Sequence, residues 1–278
     1  MLHLDHGLIF VTDLADAAAG YQRLGFTLTP RGRHPSLGTA NHTIMFERDY
    51  LELITVVTRR PANDRWAAIL DRGEGLGAMA LGTTDARAVG AALRARGIAI
   101  PEVVDFERPV LLDGGRLAAK FSVAHLPPEA SPALPAFFCQ HHTPELVWVP
   151  QYQRHPNGAR GVAGLVVIAG DPDNLAAGYE RLLGRAAIHP HPGGLELDLR
   201  GTRLLLVSPD YVSARLGQHL ATSPEQPRPL GITIGVGDLD TTRRFLAAGS
   251  VPYAPFGRGS ILVGPTFTRG VYLEFVAA

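Results

Sequence analysis

Two short stretches near the start of the chain hold the residues best placed to do chemistry. In LDHGL, His6 alternates with Leu4 and Leu8, and in YLELI, Glu52 alternates with Tyr50 and Ile54. Residues two apart share one face of a strand, so an imidazole and a carboxylate each sit on an otherwise apolar face. A carboxylate aimed into apolar surroundings is costly unless it is paired, protonated or bound to a metal. Pairing would need a cavity cation, for which Arg31, Arg33, Arg116 and Lys120 are candidates. A protonated carboxylate beside a histidine would instead shuttle protons, and a carboxylate with an imidazole could hold a divalent ion. A lone strand histidine more often reads as a hydrogen-bonded core residue.

A second group lies in FFCQHH, where Phe138, Gln140 and His142 share one face while Cys139 and His141 share the other. The first of these faces is expected to meet the cavity, with Phe138 against the substrate and Gln140 and His142 beside it. His142 and Glu52 are the expected proton carriers. The stretch GRHPSLGTANH from Gly32 is rich in turn residues, which account for Gly32, Pro35 and Gly38. That leaves His34 and Asn41 as candidate substrate contacts, with Arg116 as a third.

The elements that must position these residues follow from an internal repeat. HGLIFVTDLADAAAGYQRLGF from His6 aligns without a gap on AMALGTTDARAVGAALRARGI from Ala78, and related copies start at Ala163 and Gly231. Each copy runs from an apolar strand through an Asp cap into an Ala/Leu/Arg helix that ends at glycine. Extended segments follow, and the last of each unit is strongly strand-like: YLELITVV, AFFCQHH, TRLLLV and VYLEFV. The expected fold class is α+β, with four βαβββ modules forming two curved, half-open mixed sheets. Helical inserts, RWAAILDRGEG and DYVSARLGQHL, follow the first and third units. Two N-terminal modules are expected over residues 1–150, a linker over 151–160 and two degenerate modules over 161–278.

Composition narrows the function classes. With 278 residues, 46% of them hydrophobic, the chain can bury a sizeable core. Lysine plus arginine equal aspartate plus glutamate at 26 each, so no global field draws the protein to nucleic acid or to an anionic membrane. The single cysteine, Cys139, excludes a disulfide framework and a cysteine zinc site. No secretory signal or membrane span is expected, and a cytoplasmic location follows. The expected partner is a small-molecule substrate, with a homodimer through edge strands left open. P-loop, dinucleotide, nucleophile-elbow and H-E-x-x-H motifs are absent.

HLDHGLIFVTDL, GRHPSLGTANHTIMF, YLELITV and FFCQHHTPELVW resemble successive signature segments of the glyoxalase-like branch of the vicinal oxygen chelate superfamily. The resemblance spans nearly the whole chain and is weakest in the third unit. It implies a cavity inside each curved sheet and one divalent ion (zinc, manganese, iron, nickel or cobalt), held by His6, Glu52 and either Gln140 or His142. It also implies Lewis-acid chemistry on a substrate with two adjacent oxygens, in a lyase or an isomerase. A metal-free small-molecule binding or resistance protein is the alternative, and an extradiol-type dioxygenase is a second one. Ala78, Ala163 and Gly231 stand where His6 would recur, and Glu274 alone matches the closing carboxylate in the C-terminal half. A pairing of unit one with unit four, which would bring Glu274 beside His6, stays open at this point.

Overall fold

The structure, a computed structural model, describes residues 2–112, 115–217, 226–257 and 259–278. The first half runs β1 (Leu4–Phe10), α1 (Leu14–Arg23), β2 (Gly32–His34), β3 (Thr39–Met45), β4 (Tyr50–Val56), α2 (Asp64–Leu70), β5 (Gly75–Gly82), α3 (Ala86–Ala95), β6 (Val104–Leu112), β7 (Gly115–His125) and β8 (Ala136–His141). The second repeats the order: β9 (Ala159–Ile168), α4 (Ala176–Leu183), β10 (Ile188–His191), β11 (Gly194–Asp198), β12 (Arg203–Val207), α5 (Pro209–Leu216), β13 (Arg228–Val236), α6 (Leu239–Ala248), β14 (Ala254–Phe256), β15 (Ser260–Val263) and β16 (Tyr272–Ala277). Strand, helix and three strands thus recur four times. The inserts of the first and third units form α2 and α5.

Asp13, Asp85 and Asp238 start α1, α3 and α6, each accepting from two backbone N–H groups of the first turn. These bonds satisfy donors that a helix start otherwise leaves orphaned.

Two eight-stranded sheets result, in the orders β2-β3-β4-β1-β5-β8-β7-β6 and β10-β11-β12-β9-β13-β16-β15-β14. In each, the first strands of two consecutive units pair antiparallel at the centre, β1 with β5 and β9 with β13. Each of these also pairs in parallel with the closing strand of its own unit. Unit one therefore partners unit two, and the alternative pairing of unit one with unit four is not formed. The first sheet curls until its edges approach: the rings of His34 on β2 and Phe106 on β6 meet edge-on with centroids 5.9 Å apart.

Helix-side faces of both sheets pack into one continuous core, where Phe26 stacks on Phe275 and the Tyr21 hydroxyl donates to the Thr268 carbonyl at 3.0 Å. Separate, smaller apolar clusters line the inner faces of the two curved sheets. Among the described residues no helix is long and apolar enough to cross a membrane.

Asp49, in the turn between β3 and β4, ties the halves together by accepting from the Val162 N–H at 3.0 Å. Burial pushes its carboxyl up to about 6, against the opposing pull of that bond and of Arg48. For an acid whose folded pKa lies above its unfolded value, the fold is penalised above the folded pKa and relieved as pH falls toward the unfolded one. Asp49→Asn is therefore expected to stabilise the protein at pH 8 by about 1–3 kcal/mol, with the gap over wild type closing by about pH 4. Urea denaturation across that range checks this, and a gap independent of pH would show that burial of the charge is not the cause.

Candidate functional site

The site begins with an irregularity in β1. Leu4 pairs with Leu81 and His6 with Ala80, so Asp5 is an extra residue on β1 with no partner on β5. A bulge of this kind turns successive side chains toward the same side. Asp5 and His6 are thereby brought together, and the His6 Nδ1 lies 2.6 Å from Asp5 Oδ1. The same bulge sends Leu4 into the helix-side core, away from the face that His6 and Leu8 share. Strict alternation, which groups Leu4 with His6 and Leu8, fails at this step.

From β4, Glu52 reaches the same point. Its Oε2 lies 3.6 Å from His6 Nε2, and its Oε1 accepts from the Asn41 side-chain amide at 2.6 Å. Both His6 and Glu52 are buried, at 3% and 7% exposure, so the pair is shielded from bulk water. Tyr50 stacks on the His6 imidazole with centroids 4.3 Å apart, and Phe137 meets it edge-on at 5.6 Å.

Behind His6, the Asp5 carboxylate is also bonded by His141, whose Nε2 lies 3.0 and 3.1 Å from its two oxygens. Burial alone would raise the Asp5 pKa, but the hydrogen bonds from His141 and His6 outweigh it and hold the group below the usual carboxylate range. An ionised Asp5 only accepts, so it requires a proton on His6 Nδ1. The Nε2 atom of His6 is left facing Glu52 Oε2 at 3.6 Å, just beyond hydrogen-bond distance.

These groups open into a cavity of about 290 Å³ within the first sheet. Aromatic walls come from Trp66, Phe106, Phe121 and Phe137. Arg65 of α2 and Arg108 of β6 also line it, each over an aromatic ring: Arg65 5.8 Å from that of Trp66 and Arg108 5.9 Å from that of Phe121. Among the described residues neither has a carboxylate within ion-pair distance. Two further histidines there are neutral: burial lowers His34 to about 4 and His125 to about 3. His34 Nδ1 bonds Thr39 Oγ1 at 2.9 Å, and His125 Nδ1 is buried with no partner among the described residues.

The residues expected at the site divide accordingly. His6, Glu52, His34 and Asn41 converge on the cavity. Phe138, Gln140 and His142 do not, because β8 presents its other face. Its parallel register sets Ala80 beside Phe137, and Ala78 and Ala80 face the cavity, so Phe137 and Cys139 line it. Phe138 is fully buried in the helix-side core. Gln140 Oε1 accepts from the Ala86 N–H at the start of α3, and His142 Nε2 bonds Ser122 Oγ at 2.7 Å beside Asp105 and Arg87. The Arg116 side chain lies outside the described residues. Arg31, Arg33 and Lys120 do not line the cavity; Arg65 and Arg108 take the place expected of them. Sequence reasoning missed Asp5, His141, Arg65, Arg108 and His125.

Register also tests the metal. On β1 and β4, Leu8 sits beside Glu52; on β5 and β8, Ala80 sits beside Phe137. With His6 aligned on Ala78, the second-unit counterpart of Glu52 is Phe137, and both counterparts lack donor atoms. Donors about 2.0–2.2 Å from a zinc-like ion lie at separations close to that of His6 Nε2 and Glu52 Oε2. A histidine held from behind by a carboxylate is likewise a common outer-shell arrangement. The pair nevertheless supplies two donors where a catalytic centre uses three or more. Among the described residues, the His, Cys, Asp or Glu donors gathered as a trio within 4.8 Å are Asp5, Cys139 and His141, and both Asp5 oxygens are already engaged there. The donor set does not fit the expected centre.

The glyoxalase-like domain profile matches residues 4–183, well over half of the chain. This chain belongs to the glyoxalase-like domain family. Its place in the vicinal oxygen chelate superfamily follows, with the fold of that group. No curated protein matches the glyoxalase-like chain in sequence. A hypothetical protein from Staphylococcus aureus shares its fold over 100% of both chains at 13% identity, with a TM-score of 0.72. A mutant of 4-hydroxymandelate synthase from Streptomyces coelicolor matches 98% of this chain and 91% of its own, at 13% identity and a TM-score of 0.58. A fusion protein of a xylose isomerase-like TIM barrel and 4-hydroxyphenylpyruvate dioxygenase matches 98% of this chain and 48% of its own, at 14% identity and a TM-score of 0.60. At these identities the likeness shows the fold of the glyoxalase-like chain and nothing of its chemistry.

Proposed function

We propose that the N-terminal cavity is the active site of an acid–base isomerase or lyase acting on a small anionic substrate with an activated C–H bond. The observation that carries this reading is the chain Asp5, His6, Glu52, in which an imidazole held by one carboxylate faces a second carboxyl group in a cavity with aromatic walls. Asp5 fixes the His6 tautomer, and Asn41 holds one Glu52 oxygen so that the other faces His6. One of the pair takes a proton from substrate carbon while the other delivers its own proton to a different atom, and a proton passed between the two restores the starting state. Arg65 and Arg108 supply the charge that receives the substrate anion, and the aromatic walls favour a flat apolar body.

The test is deuterium incorporation from D2O into a panel of small 2-hydroxy and 2-oxo carboxylates, followed by proton NMR. Exchange is expected for a subset of the panel, to fall on the order of 10²-fold or more in Glu52→Gln and His6→Asn, and to persist after chelation. Arg108→Ala is expected to raise KM far more than it lowers kcat. Absence of exchange alongside tight binding would favour the metal-free binding protein. Exchange that disappears on chelation and returns with one equivalent of a divalent ion would favour a metal lyase or isomerase built on the two donors His6 and Glu52.

A further inference from the structure

The second sheet carries its own cavity, of about 220 Å³, which shares no residue with the first. Glu274 on β16 stands in it at the register position of Glu52: β13 pairs with β16 as Thr233 beside Glu274, just as Leu8 lies beside Glu52. The histidine position is closed. Gly231 occupies it, and a Cβ there would lie 2.7 Å from the Tyr272 carbonyl oxygen, so no side chain fits without backbone movement. The acid–base pair of the first cavity cannot be rebuilt in the second.

What the second cavity keeps is a carboxylate and a guanidinium, Glu274 and Arg215, that do not meet, beside a second guanidinium, Arg203, which pairs with Glu196 at 3.9 Å. Glu274 accepts from Ser260 Oγ at 2.7 Å on one oxygen and from Thr233 Oγ1 at 3.1 Å on the other. Arg215 of α5 lies over the Phe256 ring at 4.6 Å and donates to the Tyr211 hydroxyl at 3.2 Å. Both line the cavity, and among the described residues neither has an oppositely charged side chain within 4.0 Å. Much of the remaining lining is aliphatic, Leu205, Val212 and Leu262 included, with the rings of Phe256 and Tyr211 beside Arg215. A neutral apolar ligand would desolvate both charges without compensation, and a ligand of single charge would satisfy one and strand the other.

We infer that this cavity binds a small aliphatic α-amino acid as its zwitterion, the ammonium on Glu274, the carboxylate on Arg215 and the side chain against the aliphatic walls. Its small volume limits the ligand to a compact side chain. The site is a non-catalytic binding site, independent of the chemistry in the first cavity.

Isothermal titration of the full-length protein with L-leucine and L-valine tests this, beside 3-methylbutylamine and 4-methylpentanoate, each of which keeps one of leucine's two charges. One amino acid per chain is expected to bind, with each singly charged analogue at least roughly ten-fold weaker. Glu274→Gln and Arg215→Leu should each weaken amino-acid binding by a similar factor and remove the preference over the analogue lacking the charge that they met. Arg215→Lys should restore part of it, and His6→Asn should change nothing. Thermal melts of each variant separate lost binding from lost folding. Neither amino acid binding at millimolar concentration, binding indifferent to Glu274→Gln, or an amine that binds as tightly as leucine would each overturn the assignment.

Discussion

Asp5→Asn is expected to lower proton-transfer turnover by about 10²–10⁴-fold while leaving KM nearly unchanged. Asp5 does not line the cavity; it acts through His6, as a positioning residue. Asparagine has nearly the same shape, but its amide NH2 is a donor where both histidines need acceptors, and it lacks the charge that stabilises a protonated His6. One buried imidazole N–H is left without a partner, and stability should fall by about 2–4 kcal/mol at pH 7. The sign of the pH dependence follows from the lowered Asp5 pKa. An acid depressed in the fold contributes stability above its unfolded value and loses it as pH falls through the folded one. The gap between wild type and Asp5→Asn should therefore hold from neutral pH down to about 5, and narrow only in stronger acid. Paired kcat and KM measurements with urea titrations at several pH values check both parts. Wild-type turnover in a folded Asp5→Asn protein would remove Asp5 from the mechanism.

Phe138→Ala and Phe137→Ala are expected to part company in the same way that their side chains do. Phe138 is fully buried among helix-side residues, and truncating it should cost about 3–5 kcal/mol, with the affinity of the surviving folded protein for substrate unchanged. Phe137 lines the cavity, edge-on to His6 and 5.9 Å from the Trp66 ring. Its loss should cost less stability, because the space it leaves opens onto an existing cavity, and should weaken substrate binding by roughly ten-fold. Urea melts and calorimetric titration of the two variants decide the matter. Equal losses of affinity would show that β8 does not present the face described.

Much of the architecture is legible in the sequence because it rests on local signals. Aspartate caps at 13, 85 and 238, helix-ending glycines and apolar strand runs are each set by near neighbours. His6, Glu52, His34 and Asn41 reach the cavity through alternation on strands that pair regularly around them. The remaining site residues depend on what no local pattern carries. The bulge at Asp5 is a property of two strands, and it turns Leu4 into the helix-side core and Asp5 toward His6 and His141. The facing of β8 is set by its register against Ala80, so Cys139 and His141 occupy the side expected of Gln140 and His142. Arg65 and Arg108 come from α2 and β6, elements distant from His6 in sequence. Arg65 is visible in RWAAIL only as part of an amphipathic helix. Weighing Ala78 and Ala80 as a cavity-facing pair would have pointed to Phe137 and the correct side of β8.

The separation of the apolar residues into one shared core between the sheets and two private clusters inside them bears on how such a protein can change. Joining of the halves draws on side chains that, Ile232 apart, line neither cavity, so the inner faces can be rewritten, a histidine lost here or an arginine gained there, while the scaffold keeps its cohesion. One half can then give up reactivity and retain selectivity, and a single polypeptide can house two unlike pockets that drift independently.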